Sequence, residues 1–221
     1  MQEKTSLIRQ PWAWALLVFL FVGVGSMALW TRHAGRPGQG GGEKRPLEGL
    51  KAFGKVPEFA LTERSGKKIQ SGDLLGKVWI ADFIYTHCTD TCPIQSAEMK
   101  ALQDKFAGDD LRLVSITVDP ERDTPAALAE YAARFGADPA RWLFLTGEKQ
   151  AIFRLAEQGF HLATAEIPAP ERDASGATHR HSPRFVIVDR RGQIRGYYPG
   201  TEKEALDRLR RDVEAVLREK S

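Results

Sequence analysis

The sequence predicts an α/β domain, a mixed central sheet flanked by helices, behind one N-terminal transmembrane helix. Three observations carry this expectation. Apolar runs rich in β-formers at Val78–Tyr85, Leu111–Asp119 and Trp142–Thr146 alternate with helical patterns, as βαβ units require. Two more apolar runs, joined by a tight connection, precede a last amphipathic helix. Residues 12–30, WAWALLVFLFVGVGSMALW, run for nineteen positions without a charge, nearly enough helix to cross a hydrocarbon core of ~30 Å.

In chain order, residues 1–11 form an N-terminal tail and residues 12–30 the anchor, whose ends carry Trp12, Trp14 and Trp30. Tryptophan suits the membrane interface, where its ring is buried and its N–H stays wet. The small residues Gly23, Gly25, Ser26 and Ala28 leave a cleaved secretory signal as the alternative. Both readings export the rest of the chain. Basic residues stand on both sides, Lys4 and Arg9 before the span and Arg32, Arg36, Lys44 and Arg45 after it, so their count alone does not orient it. A short tail before one apolar span is the usual form of a signal anchor, which puts the domain outside the cytoplasm.

Residues 31–54 read as a flexible linker, rich in glycine, with Pro37 and Pro46 and few apolar side chains to offset the entropy of ordering. Residues 55–221 suffice for one domain with a sizeable core. Charge divides at the same place: residues 1–54 hold seven Lys/Arg against three Asp/Glu, leaving twenty-five basic and twenty-six acidic residues in the domain. A near-neutral domain lacks the concentrated basic face that nucleic acid demands.

Within the domain, Val78–Tyr85 is almost continuously apolar and reads as a strand covered on both faces. Pro93 suits the first position of a helix on which Ile94, Ala97 and Ala101 recur at helical spacing. Leu111–Asp119 is a second strand. Asp123 or Thr124 caps a helix that starts at Pro125 and carries Leu128, Tyr131, Ala132 and Phe135 on one face. Trp142–Thr146 is a third strand, and Lys149–Gln158 a short helix. Phe185–Asp189 and Gly192–Tyr198 form a hairpin. The last helix buries Leu206, Leu209, Val213, Val216 and Leu217. A thioredoxin-like arrangement matches this order.

The chain's two cysteines, Cys88 and Cys92, both lie in YTHCTDTCP, where the first of these strands ends and a helix begins. Open α/β folds place their sites at that carboxyl edge. The positive end of a helix favours thiolate, which is both nucleophile and metal ligand. Buried core cysteines are the plain alternative, set against the polar Thr89, Asp90 and Thr91 between them. Three functional readings remain open on these residues: a dithiol/disulfide couple, a peroxidase and a metal site. The peroxidase is the weakest, since Thr89–Cys92 has the Thr-x-x-Cys spacing of peroxiredoxins but Tyr85 stands where those enzymes carry proline.

A metal site needs more donors than two thiolates. His33 lies in the linker, and His161 reads as a half-buried strand residue. His87 is adjacent to Cys88 and must point elsewhere if Cys88 faces a metal, which suits an outer or packing role. His179 and His181 are two apart just before an apolar strand, so they project alike. They end a polar stretch from Thr164 to Arg180, a loop long enough to be mobile or functional. Two thiolates and one imidazole suit Cu(I), and Cu(II) with an added ligand; a second imidazole would make a closed Cys2His2 zinc set.

FIYTHCTDTCP, then SITVDPERDTP, then HSPRFVIVDRRG is similar to the Sco/SenC family of membrane-anchored, thioredoxin-fold copper proteins. The likeness runs from Val56 to the last helix and includes the anchor. It implies copper, as Cu(I), Cu(II) or both, held by Cys88, Cys92 and His181. It also implies a partner, the copper A-bearing subunit of cytochrome c oxidase or another copper acceptor. The placement implied is the inner membrane, single-pass, with the domain on its periplasmic or equivalent side. Asp119 matches a recurrent family position with a structural or partner-docking role. Arg180 departs from the acidic residue common there, and His179 is an extra imidazole. The function implied is metallochaperone first, with two alternatives: a thiol-disulfide reductase using Cys88 and Cys92 as its redox pair, or a copper or redox sensor.

Overall fold

The computed structural model describes residues 50–106, 110–171 and 178–219. The expected tail 1–11, anchor 12–30 and all but the end of the linker 31–54, with His33, lie outside the described residues. Among the described residues no helix is long and apolar enough to cross a membrane.

The described residues form nine strands and four α-helices. The strands are β1 (Ala60–Glu63), β2 (Lys68–Gln70), β3 (Val78–Ile84), β4 (Leu111–Thr117), β5 (Trp142–Thr146), β6 (Thr164–Glu166), β7 (His179–His181), β8 (Arg184–Val188) and β9 (Ile194–Pro199). The helices are α1 (Thr91–Lys105), α2 (Pro125–Arg134), α3 (Lys149–Arg154) and α4 (Lys203–Arg218). Seven strands form one mixed sheet in the order β2-β1-β5-β4-β3-β8-β9, and β6 pairs with β7 in a separate ribbon.

The core of the sheet is parallel: β3 pairs with β4 over Val78↔Leu111 to Ile84↔Thr117, and β4 with β5. All seven residues of β3 are buried, which is why its sequence is nearly continuous in apolar residues. The predicted hairpin is present as antiparallel β8 and β9, and β8 also pairs antiparallel with β3. A strand antiparallel to β3 begins beside the end of β3, which brings the chain before β8 to the carboxyl edge. The last residues of the expected linker run along β9, where Lys51 and Phe53 donate backbone bonds to Arg195 and Ile194.

Several elements depart from the sequence reading. The β1–β2 hairpin was not expected, because its strands are short and half exposed. Gly66, at φ +87°, turns it in a conformation that favours glycine. Helix α1 begins at Thr91, two residues before Pro93, leaving the proline in the first turn, where no intrahelical donor is lost. Its phase is also rotated. Ile94, Ala97 and Ala101 face solvent, while Cys92, Gln95, Ser96, Met99, Leu102 and Gln103 are buried. Two of the inward polar groups have clear partners: Ser96 Oγ lies 2.8 Å from the Tyr131 hydroxyl, and Gln103 bonds the Gly136 carbonyl and the Asp138 amide. Satisfied polar groups can face a core, so the spacing of Ile94, Ala97 and Ala101 did not mark the buried side of α1. In α2, Thr124 is the cap and accepts from the Ala127 amide, leaving Asp123 free for another task.

Candidate metal centre

Cys88 follows the end of β3, and its amide donates to the Tyr85 carbonyl at 3.2 Å, a tight turn. Cys92 is the second residue of α1. His181 ends β7, just ahead of β8, at the edge where β3 terminates. The sulfur atoms of both cysteines and a ring nitrogen of His181 lie within 4.8 Å of one another. His181 Nε2 is 3.3 Å from Cys92 Sγ. Cys92 is fully buried and Cys88 nearly so, while His181 is half-buried, so the cluster opens to solvent on its Cys88–His181 side.

The two thiols are not equivalent. The Cys92 thiol bonds the Cys88 sulfur, which also accepts from His181 and from the backbone amides of Cys92 and Asp90; against the cost of burial, these bonds pull the Cys88 pKa down to about 3. The Cys92 amide, in the first turn of α1, is 3.4 Å from that sulfur. Cys92 moves the other way: its bond to Cys88, its burial and the neighbouring thiolate charge all raise its pKa. The helix N-terminus thus favours thiolate at Cys88, as the sequence predicts, but Cys92 keeps its proton.

The Thr164–Arg180 stretch is not a plain loop. Its ends pair as β6 and β7, with Thr164↔His181 and Glu166↔His179 in register, so a backbone ladder carries the imidazole. Both histidine rings pack on Tyr85, at centroid separations of 5.6 Å for His179 and 5.8 Å for His181. Of the two, His181 joins the sulfur cluster. His179 Nδ1 sits 3.0 Å from Thr178 Oγ1 and 3.8 Å from Asp119 Oδ2, and burial lowers its pKa. A closed Cys2His2 set is therefore not assembled. His87 is exposed rather than packed, 3.1 Å from its neighbour Thr86. His161 is also exposed, outside any strand, at φ +53°. Asp119 is buried; its carbonyl accepts from the amides of Arg122 and Asp123, a structural role.

Sequence reasoning passed over two features. Asp82 is a lone carboxyl in the apolar β3, fully buried. Ser115 donates to its Oδ1 at 2.6 Å and Trp142 Nε1 in turn to Ser115 at 2.9 Å, while Oδ2 has no partner among the described residues. Burial pushes its pKa up to about 7, against the Ser115 bond and the His181 charge. A charge inside VWIADFIY was the available signal. The second is Tyr85, whose contacts with both imidazoles depend on the tertiary fold.

The SCO1/SenC family model matches residues 49–218. The chain is 32% identical over 164 residues to the SCO1 protein homolog of Bacillus subtilis, spanning 73% of this chain and 82% of that one. Among solved structures it is similar to BsSco, a member of the Sco family of cytochrome c oxidase assembly proteins in which a disulfide switch was identified. That likeness has 30% identity and a TM-score of 0.65, over 80% of this chain and 100% of the other. Copper-bound ScoI of Bradyrhizobium japonicum is similar at 27% identity and a TM-score of 0.58, over 74% of this chain and 99% of that one. These likenesses give the described domain a thioredoxin-like α/β fold.

Proposed function

The chain belongs to the SCO1/SenC family, and on that premise we propose that it is a copper chaperone, binding copper through Cys88, Cys92 and His181 and assisting assembly of the copper A centre of cytochrome c oxidase. The observation that carries this reading is the convergence of two thiol sulfurs and an imidazole nitrogen within 4.8 Å, a donor set suited to Cu(I), and to Cu(II) with one more ligand. The copper-bound relative supports the choice of metal. In the same proposal, residues 12–30 tether the protein to the inner membrane as a single pass, with the domain on the periplasmic or equivalent side; their uncharged run supports it. The acceptor is the oxidase subunit that bears copper A.

The chemistry rests on the inequality of the thiols. Cys88 is already a thiolate and meets the incoming metal; Cys92 must release its proton to complete the pair. His181, the less buried donor, is the one a partner's ligand reaches, so handover proceeds by exchange of one donor at a time. Two-electron oxidation of Cys88 and Cys92 to a disulfide by an external oxidant ties up both sulfur donors, and redox state gates loading.

The reduced protein is expected to bind one copper, with Cys88→Ser, Cys92→Ser and His181→Ala each abolishing normal binding. His179→Ala is expected to retain it. Anaerobic copper titration with spectroscopy reads all four, and wild-type affinity in the first three variants would sink the assignment. A second reading, a thiol-disulfide reductase that keeps the acceptor's ligand cysteines reduced, is favoured by the low pKa of Cys88 beside a protonated Cys92, a nucleophile and resolving pair. Catalytic turnover of an oxidised acceptor peptide by metal-free protein, with a thiol reductant supplied to regenerate the Cys88–Cys92 dithiol, would support it; copper delivery without turnover supports the chaperone.

A further inference from the structure

The turn after β4, part of the DPERDTP motif, has no part in ligation, yet it reaches the cysteine loop. Asp123 is fully buried and is the hub of that contact. Its Oδ2 accepts the Thr86 amide at 3.0 Å and the Thr117 hydroxyl at 2.5 Å, and its Oδ1 accepts the Thr86 hydroxyl at 2.5 Å. Its own amide donates to the Asp119 carbonyl at 2.8 Å, which ties the side chain to a closed turn. Thr86 stands two residues before Cys88. It lies just past β3, where the last ladder bond is from the Val118 amide to the Ile84 carbonyl.

We propose that Asp123 is the positioning residue of the cysteine arm: its carboxylate holds Thr86 by amide and hydroxyl together, and so sets where Cys88 stands relative to Cys92 and His181. This rests on the copper reading for its purpose and adds to it a residue outside the ligand set. The two arms of the centre are held by different means. His181 rides on the β6–β7 ladder, while the turn carrying Cys88 belongs to no strand or helix. A buried carboxylate that accepts two bonds from one residue fixes both the position and the orientation of that residue, which a single bond does not. Thr117, at the end of β4, donates the third bond to the same carboxylate, so the hub is referenced to the rigid centre of the sheet.

Thr86→Val keeps the shape of the side chain and removes only the hydroxyl, Thr86→Ser restores it, and Asp123→Ala removes the hub. In the full chain, reduced and titrated with Cu(I), Thr86→Val and Asp123→Ala are expected to weaken binding by about 10–100-fold, the range outer-shell partners command. Thr86→Ser is expected to match wild type. In separate samples loaded with Cu(II), the thiolate-to-Cu(II) charge-transfer band should move in the first two variants and not in the third. A metal-free measurement separates this inference from the copper reading: the equilibrium of the Cys88–Cys92 disulfide against glutathione. A looser arm lowers the effective concentration of one thiol at the other, so the disulfide of Thr86→Val should be about tenfold less favoured than wild type. If wild type binds no copper but this disulfide shift appears, the copper reading fails and the positioning role stands. If Thr86→Val keeps wild-type disulfide equilibrium, copper affinity and band position, Asp123 does not position the arm. Should Asp123→Ala fail to fold, Thr86→Val and its serine rescue decide alone.

Discussion

Asp82→Asn tests whether the buried carboxyl of β3 is held neutral by burial. In wild type its pKa rises from 3.8 to about 7, chiefly because the charged form loses its hydration inside β3. A carboxyl whose folded pKa lies above its unfolded value binds protons more tightly in the native state. Its contribution to stability is therefore fully present below pH ~4 and is lost as pH rises to ~7. A shift of this size corresponds to about 4 kcal/mol over that window. Asparagine cannot ionise, and its carbonyl can still accept from Ser115. Its amide N–H groups would occupy the place where Oδ2 has no partner among the described residues, a cost of about 1–3 kcal/mol. The variant should thus be the less stable protein at pH 4 and the more stable one at pH 8. Urea unfolding of the reduced, metal-free protein between those values, compared at constant m, measures the difference. A stability difference that does not change with pH would refute the reasoning, because it would mean that Asp82 ionises in the fold as it does in the unfolded chain.

The same geometry gives two further outcomes. With Cys88 held as thiolate and Cys92 protonated, copper loading releases one proton, so Cu(I) affinity should rise about tenfold per pH unit between pH 7 and 9; a hundredfold rise per unit in competition titrations would show that both thiols start protonated. The rotated phase of α1 predicts that Met99→Ala, at a fully buried site, costs about 2–5 kcal/mol. Ile94→Ser, at a position 51% exposed, should stay within about 0.5 kcal/mol, and urea unfolding that reversed this order would refute the assigned face.

The β3, β4 and β5 strands were legible because each is an apolar run of β-formers long enough to cross the sheet, and the β8–β9 hairpin because a short polar turn separates two such runs. The phase of α1 was not, since its inward face carries Ser96 and Gln103, and whether a polar side chain can be buried depends on partners elsewhere, here Tyr131, Gly136 and Asp138. The β6–β7 ribbon escaped notice because three-residue strands have no periodicity to read, and their pairing joins segments on either side of residues 172–177. His161 lies outside its expected half-buried strand, and His87 is exposed, for the same kind of reason: exposure belongs to the surroundings, not to the residue.

Donor chemistry could be read from the chain alone. With two cysteines, both at a strand-to-helix edge, and two histidines before a later strand, the candidate ligands were few and their softness is a property of the side chains themselves. Three-dimensional packing selected among them and made them unequal. It brought His181 to Cys92 across 89 positions of sequence, turned His179 toward Asp119, and gave the Cys88 sulfur the hydrogen bonds that hold it as thiolate while Cys92 keeps its proton. Hydrogen bonding and burial act over a few ångströms of space, and those distances exist only once β8 has folded back antiparallel to β3.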